Sequence, residues 1–193
     1  ERPEREQEEN LGKLVESLSL EPGMVVADIG TGSGRIAVMM AEKLGSNGKV
    51  LAVDVQDEML SLLSKKLKQK NITNIEPILG TPKSPQLKPA SVDMALIVDV
   101  YQKFEYPYEM LGEIAAALKP GGRVAFVEYR KEDPKVRRMI KLVHTMTEKQ
   151  VKREAALPEF GLTWKKTVDV LPVQHIVIFE KKTAAQRATN SKQ

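Results

Sequence analysis

The residues best placed to do chemistry lie in the run Asp28-Ile29-Gly30-Thr31-Gly32-Ser33-Gly34-Arg35. Glycines at alternate positions permit a tight turn and let a ligand approach the backbone, while the start of a following helix offers unpaired N–H groups. Asp28 puts a carboxylate immediately before them. A second acid, Asp54, ends the apolar run Val50-Leu51-Ala52-Val53 about 20 residues beyond the glycines, where a strand-end carboxylate can accept hydrogen bonds from ribose hydroxyls. A third, Asp99, ends a strongly apolar run and is followed by Tyr101. Bare amides beside carboxylates suit a polar ligand that carries a ribose. A dinucleotide loop of the form G-x-G-x-x-G would place its third glycine where this chain has Arg35, which disfavours a nicotinamide-dependent oxidoreductase.

Other reactive residue types are sparse. The two histidines, His144 and His175, are isolated and have no acid at metal-ligand spacing, so no metal site is expected. His144 falls on an amphipathic segment with Ile140, Leu142, Val143 and Met146, and His175 reads as a turn or edge residue. The Lys65-Lys66-Lys68-Lys70 cluster shares a helix with Leu60, Leu62, Leu63 and Leu67 and reads as its solvated face. The absence of cysteine rules out disulfides, thiolate metal sites and a cysteine nucleophile, and suits a reducing compartment.

These residues are carried by alternating strand and helix patterns. Leu11, Leu14, Val15 and Leu18 recur at helical spacing until Glu21-Pro22-Gly23 breaks the pattern. Residues 24–29 form an apolar run suited to a strand buried on both faces, and residues 36–44 return to helical spacing. A strand at 49–55, a helix at 58–70, a weaker strand at 75–79 and a strong one at 92–100 follow, with a proline-rich loop at 82–89. A helix at 108–118 stops at Lys119-Pro120-Gly121-Gly122 before a strand at 124–128. Thr147-Glu148-Lys149-Gln150 has the form of a capping box opening a helix to about residue 157. Strands at 168–171 and 176–179 lie too close in sequence for a parallel crossover and are expected to pair antiparallel.

The bulk numbers fit one domain: 193 residues, 41% of them hydrophobic, with a net charge of +4 that gives no clear signal for a nucleic-acid partner. No apolar stretch reaches the roughly 20 residues needed to span a bilayer, and no membrane signal stands out. The cytoplasm is therefore the expected location. Residues 1–20 are read as a helical lead-in that can fold over the pocket as a lid, 21–182 as the functional domain, and 183–193 as a polar, disordered tail.

Val25-Val26-Ala27-Asp28-Ile29-Gly30-Thr31-Gly32-Ser33-Gly34 resembles the first motif of class I S-adenosyl-L-methionine-dependent methyltransferases, and Asp54 is similar to their ribose-binding acid. Ser91-Val92-Asp93-Met94-Ala95-Leu96-Ile97-Val98-Asp99-Val100-Tyr101 resembles the family's fourth-strand segment. Leu118-Lys119-Pro120-Gly121-Gly122-Arg123 resembles its turn into the fifth strand. Within the family the chain is most similar to small bacterial-type domains related to ubiquinone and menaquinone biosynthesis enzymes, including the Arg2-Pro3-Glu4-Arg5 lead-in and the Leu171-Pro172-Val173-Gln174-His175 ending.

The resemblance implies a Rossmann-like, doubly wound α/β fold: a mostly parallel seven-stranded sheet with an antiparallel last strand and helices on both faces. It implies S-adenosyl-L-methionine as cofactor. Asp28, Gly30, Thr31, Gly32 and Gly34 would cradle its amino-acid part, Asp54 its ribose, and Val55, Met59, Gly80 and Thr81 its adenine. Asp99 would face the amino-acid group or the reaction pocket, and Asp99 and Tyr101 are the candidate catalytic residues. A small-molecule acceptor is expected, with the accepting atom and oligomeric state open. Two departures stand out: Gln102 where similar sequences often have His, and Pro82-Lys83-Ser84 where they often have acids. They keep open a non-catalytic cofactor-binding or scaffold protein derived from a methyltransferase.

Overall fold

The computed structural model describes residues 9–183 and 185–186. The Arg2-Pro3-Glu4-Arg5 lead-in and the tail beyond residue 186 lie outside them. A short helix, α1 (Leu11–Ser17), leads into β1 (Val25–Ile29), α2 (Arg35–Leu44), β2 (Lys49–Asp54), α3 (Asp57–Lys70), β3 (Ile75–Leu79) and β4 (Val92–Val98). Then come α4 (Pro107–Ala117), β5 (Leu118–Arg130), α5 (Pro134–Met139), β6 (Thr145–Met146), α6 (Glu148–Ala155), β7 (Leu162–Val168) and β8 (Gln174–Lys181). One sheet runs in the order β3-β2-β1-β4-β5-β8-β7, with the two-residue β6 paired alongside the end of β5.

β8 runs antiparallel to both neighbours, and the other pairings are parallel, so the expected seven-stranded architecture is observed. Local chemistry explains the elements. β1 and β4 are apolar on both faces because helices cover both sides. Pro77 sits in β3, an edge strand, where its missing N–H costs no central ladder bond. Thr147 caps α6 by accepting from the Gln150 N–H, as the capping pattern predicts. β7 occupies Leu162–Val168, earlier than the strand expected at 168–171, because its alternation is masked by the exposed Lys165 and Lys166 on an outer strand.

Two apolar layers sandwich the sheet. Side chains of α1, α2 and α3, including Leu14, Met40 and Leu63, fill one face; Met110, Leu111, Ile114 and Val151 from α4 and α6 fill the other. α1 is thus part of the core and packs on α2. The strand order reverses between β1 and β4, and the crevice at their carboxyl ends is where open α/β sheets bind ligands.

Candidate cofactor cleft

The β1 tip and the loop after it are stitched together by short hydrogen bonds. Thr31 donates its hydroxyl to Asp28 Oδ2 at 2.7 Å. The Gly30 and Thr31 amides both donate to the Val53 carbonyl of β2, and the Gly32 N–H donates to Asp54 Oδ2 at 2.8 Å. Asp54 Oδ1 accepts the Gln56 N–H at 3.0 Å. Asp54 therefore ties the glycine loop to the β2–α3 turn, a role the sequence reading did not foresee. Each carboxylate oxygen has two lone-pair directions, so one bond apiece leaves acceptor capacity for a ligand hydroxyl.

Gly30, Gly32 and Gly34 have φ of 78°, 53° and 71°, in the left-handed region that favours glycine. They differ in surroundings. A Cβ on Gly30 would fall 2.7 Å from Val100 Cγ2, and one on Gly34 2.3 Å from Leu63 Cδ1, so these two are glycines because side chains pack against them. A Cβ on Gly32 would meet nothing within 4 Å, because Gly32 borders the cleft.

The cleft has two adjoining hollows whose walls share Gly30, Val100 and Lys103. One, about 200 Å³, is walled by Asp28, Thr31, Gly32, Asp99 and, from the lead-in, Glu9 and Leu11. The other, about 400 Å³, is more apolar and is walled by Val53, Asp54, Val55, Gly80, Thr81 and Met110. A polar end and an apolar end joined past a strand-tip carboxylate match the amino-acid, ribose and base parts of an adenosyl amino acid. Of the expected contacts, Met59 is half-buried on α3 and walls neither hollow, and Gly34 serves as the residue before α2 rather than as a wall.

The electrostatics favour a cationic ligand at the polar end. Burial, reinforced by the charge of Asp54 and opposed by the Thr31 hydrogen bond, pushes the Asp28 carboxyl up to about 6. A ligand ammonium would relieve that penalty. Among the described residues no group of three His, Asp or Glu side chains is arranged to hold a metal ion.

The loop after β4 departs most from expectation. Asp99 adopts φ 52°, a strained conformation for a non-glycine residue, and is held there from several sides. Gln102 Nε2 donates to its Oδ1 at 2.8 Å and Lys103 Nζ to its carbonyl at 2.7 Å. Gln102 thus helps hold the Asp99 carboxylate in place. Tyr101, a candidate catalytic residue, is placed away from the cleft: its ring packs edge-on against Phe104 and Phe126, and its hydroxyl donates to Glu154 at 2.7 Å. Burial and that acidic partner push its phenol well above the usual range, which unsuits it as a base. Beneath the loop, Glu128 Oε1 accepts the Tyr101 N–H at 3.1 Å, and burial with the nearby Asp99 charge pushes its carboxyl up to about 8.

Val100, Lys103, Glu9 and Glu128 were missed in the sequence. Only the strain-prone Asp99-Val100 junction beside an apolar strand could have hinted at the first two. Glu9 reaches the site through a 2.7 Å bond from the Tyr129 hydroxyl, 120 residues away in sequence, and no local pattern encodes that. His175, expected at a turn or edge, is buried on β8 between β5 and β7, and burial pushes its pKa down.

A family model described as a methyltransferase domain matches residues 20–179, and the chain belongs to that family. A demethylmenaquinone methyltransferase from Lactococcus lactis is 31% identical over 106 residues, which is 55% of this chain and 42% of the relative. A ubiquinone/menaquinone biosynthesis C-methyltransferase from Shewanella pealeana is 25% identical over 127 residues, covering 65% of this chain and 51% of the relative. The chain thus spans about half the length of these relatives or less. A solved SAM-dependent methyltransferase from Aquifex aeolicus superposes with a TM-score of 0.80 at 23% identity, covering 93% of both chains. The cyclase SpnF also superposes, with a TM-score of 0.76 at 15% identity over 91% of this chain and 81% of its own. The shared fold therefore does not by itself specify the reaction.

Proposed function

We propose that the chain is an S-adenosyl-L-methionine-dependent methyltransferase acting on a small-molecule acceptor. The observation that carries this reading is the convergence of Asp28, the Gly32 rim and Asp54 on one cleft whose polar end joins an apolar end. Asp28 and the amides around Gly30, Thr31 and Gly32 would hold the cofactor's amino-acid part, with Asp54 at the ribose. Val55, Gly80 and Thr81 would flank the base. The cofactor supplies an electrophilic methyl group on a sulfonium, so the protein's task is to align an acceptor lone pair and exclude water.

Asp99, held by Gln102 and Lys103 and lining the polar hollow, would face the reacting end. Relatives named for menaquinone biosynthesis make a small quinone-type ring the first acceptor class to test. The lead-in contributes Glu9 and Leu11 to the wall of the polar hollow, which supports a role for it in covering the cofactor.

The test is calorimetric titration with S-adenosylhomocysteine and, separately, NAD, followed by methyl transfer from labelled cofactor to a panel of quinols, phenols and amines. Micromolar binding of S-adenosylhomocysteine, no NAD binding and label on one acceptor class are expected. NAD binding would overturn the cofactor assignment, and tight product binding with no transfer to any acceptor would point to a non-catalytic descendant.

A further inference from the structure

Between β5 and β6 the chain leaves the sheet and forms α5 and a short 3-10 turn, Leu142–His144. The sequence pattern places Ile140, Leu142, Val143 and Met146 on one amphipathic segment with His144. Of these, Met146 is buried and Ile140 half-buried, while Leu142 is 55% exposed, Val143 71% and the neighbouring Met139 55%. Three large aliphatic side chains within five residues thus stand in solvent, a cluster rather than the scattered single residues normal on a surface. Around them lie Lys135, Arg137, Arg138 and Lys141, all exposed, and residues 134–143 contain no acid. The segment has a built conformation: Val136 anchors α5 by burial, and Asp133 caps it by accepting the Lys135 N–H at 2.7 Å.

We propose that residues 134–143 are a peripheral docking surface for an anionic lipid bilayer. Met139, Leu142 and Val143 enter the boundary of the acyl layer, and Lys135, Arg137, Arg138 and Lys141 meet the headgroups. Charge complementarity and aliphatic character together select this partner. A nucleic acid would match the charge, but none of the three apolar side chains is aromatic, so bases find no stacking platform.

The lysine-rich α3 provides an internal contrast. Leu60, Leu63 and Leu67 turn into the core, and Asp57 and Glu58 sit at the helix start, leaving a cationic face with Leu62 as its one large exposed apolar side chain. The docking surface is also close to the chemistry, since the turn Leu142–His144 packs against the turn Tyr101–Lys103, whose Lys103 walls the cofactor cleft. Docking would set that cleft beside the lipid surface. Among the described residues no helix is long and apolar enough to cross a membrane, so attachment is at the interface. The inference rests on exposure and charge and is independent of the quinone-type acceptor.

Flotation of the full chain with vesicles of phosphatidylcholine alone, and with one part in four phosphatidylglycerol, tests it at low and high salt. Binding to the anionic vesicles is expected to be at least about tenfold tighter and to weaken with salt. The triple reversal Arg137→Glu, Arg138→Glu, Lys141→Glu should lose about tenfold or more of that affinity. Leu142→Ser with Val143→Ser should also lower it and leave binding more salt-sensitive. The matched reversal Lys65→Glu, Lys68→Glu, Lys70→Glu should not lower it, with thermal unfolding checking that every variant is folded. Equal binding to both vesicles, or equal loss from the α3 reversal, would overturn the proposal. Self-association that Leu142→Ser with Val143→Ser abolishes, in a chain that ignores vesicles, would assign the surface to a second copy instead.

Discussion

The β1–β2 tips that wall the cleft and the β5–β8 part of the sheet are built by different means. At the β1–β2 tips the main polar contacts are with neighbours a few residues away or on the adjacent strand: Thr31 with Asp28, Gly32 and Gln56 with Asp54, Gly30 with Val53. At the β5–β8 end the contacts span long stretches of chain, as with Tyr129 and Glu9 or Tyr101 and Glu154. Buried polar atoms there, including Glu128 Oε2, His175 Nε2 and the Gln174 amide, have no hydrogen-bond partner. Buried polar groups ordinarily find partners, so the two regions differ in how completely their polar atoms are paired within the chain.

That difference can be attacked directly. The largest effect is expected at Gly30, where a methyl group meets the Val100 side chain in a left-handed backbone. Gly30→Ala should cost about 2–4 kcal/mol in urea unfolding, from strain plus overpacking. Gly121 has the same φ, 78°, but open space around it, so Gly121→Ala should cost only about 1 kcal/mol. Adding Val100→Ala to Gly30→Ala should recover most of the difference. Equal costs at the two glycines would mean that the loop is not packed as described.

A smaller effect is expected at Glu128. Its folded pKa, about 8, lies above the unfolded carboxylate value, so the folded chain binds the extra proton. Stability should therefore fall as pH rises from about 5 to about 8 and then level off. Glu128→Gln stays neutral and keeps an oxygen for the Tyr101 N–H, so relative to the parent it should gain about 2 kcal/mol between pH 6 and pH 9. Parallel pH–stability curves for the two proteins would remove Glu128 from the buried, charge-averse position assigned to it.

The same contrast explains what could be read in the sequence. Strand and helix periods, the glycine loop, Asp28 and Asp54 were legible because their interactions are local or set by one strand pairing. The fold followed from these, including the antiparallel β8. The site beyond β4 was not legible. Tyr101 turns inward because Glu154 on α6 and the Phe126 ring on β5 draw it there, and both partners are remote in sequence. The segment at 140–146 carries an amphipathic pattern whose apolar side chains nonetheless stay largely outside the core, since α5 and its turn are anchored through Val136 and Met146. Periodicity reports which residues can share a face and not whether anything covers it.

Asp54, at the end of β2, is the carboxylate on which the proposed adenosyl site most directly depends. Calorimetric titration of S-adenosylhomocysteine into the parent and into folded Asp54→Ala should show affinity falling at least about tenfold, the order expected for losing a charge-assisted hydrogen bond. Parent-like affinity in the folded variant would contradict the assignment of this cleft to an adenosyl ligand.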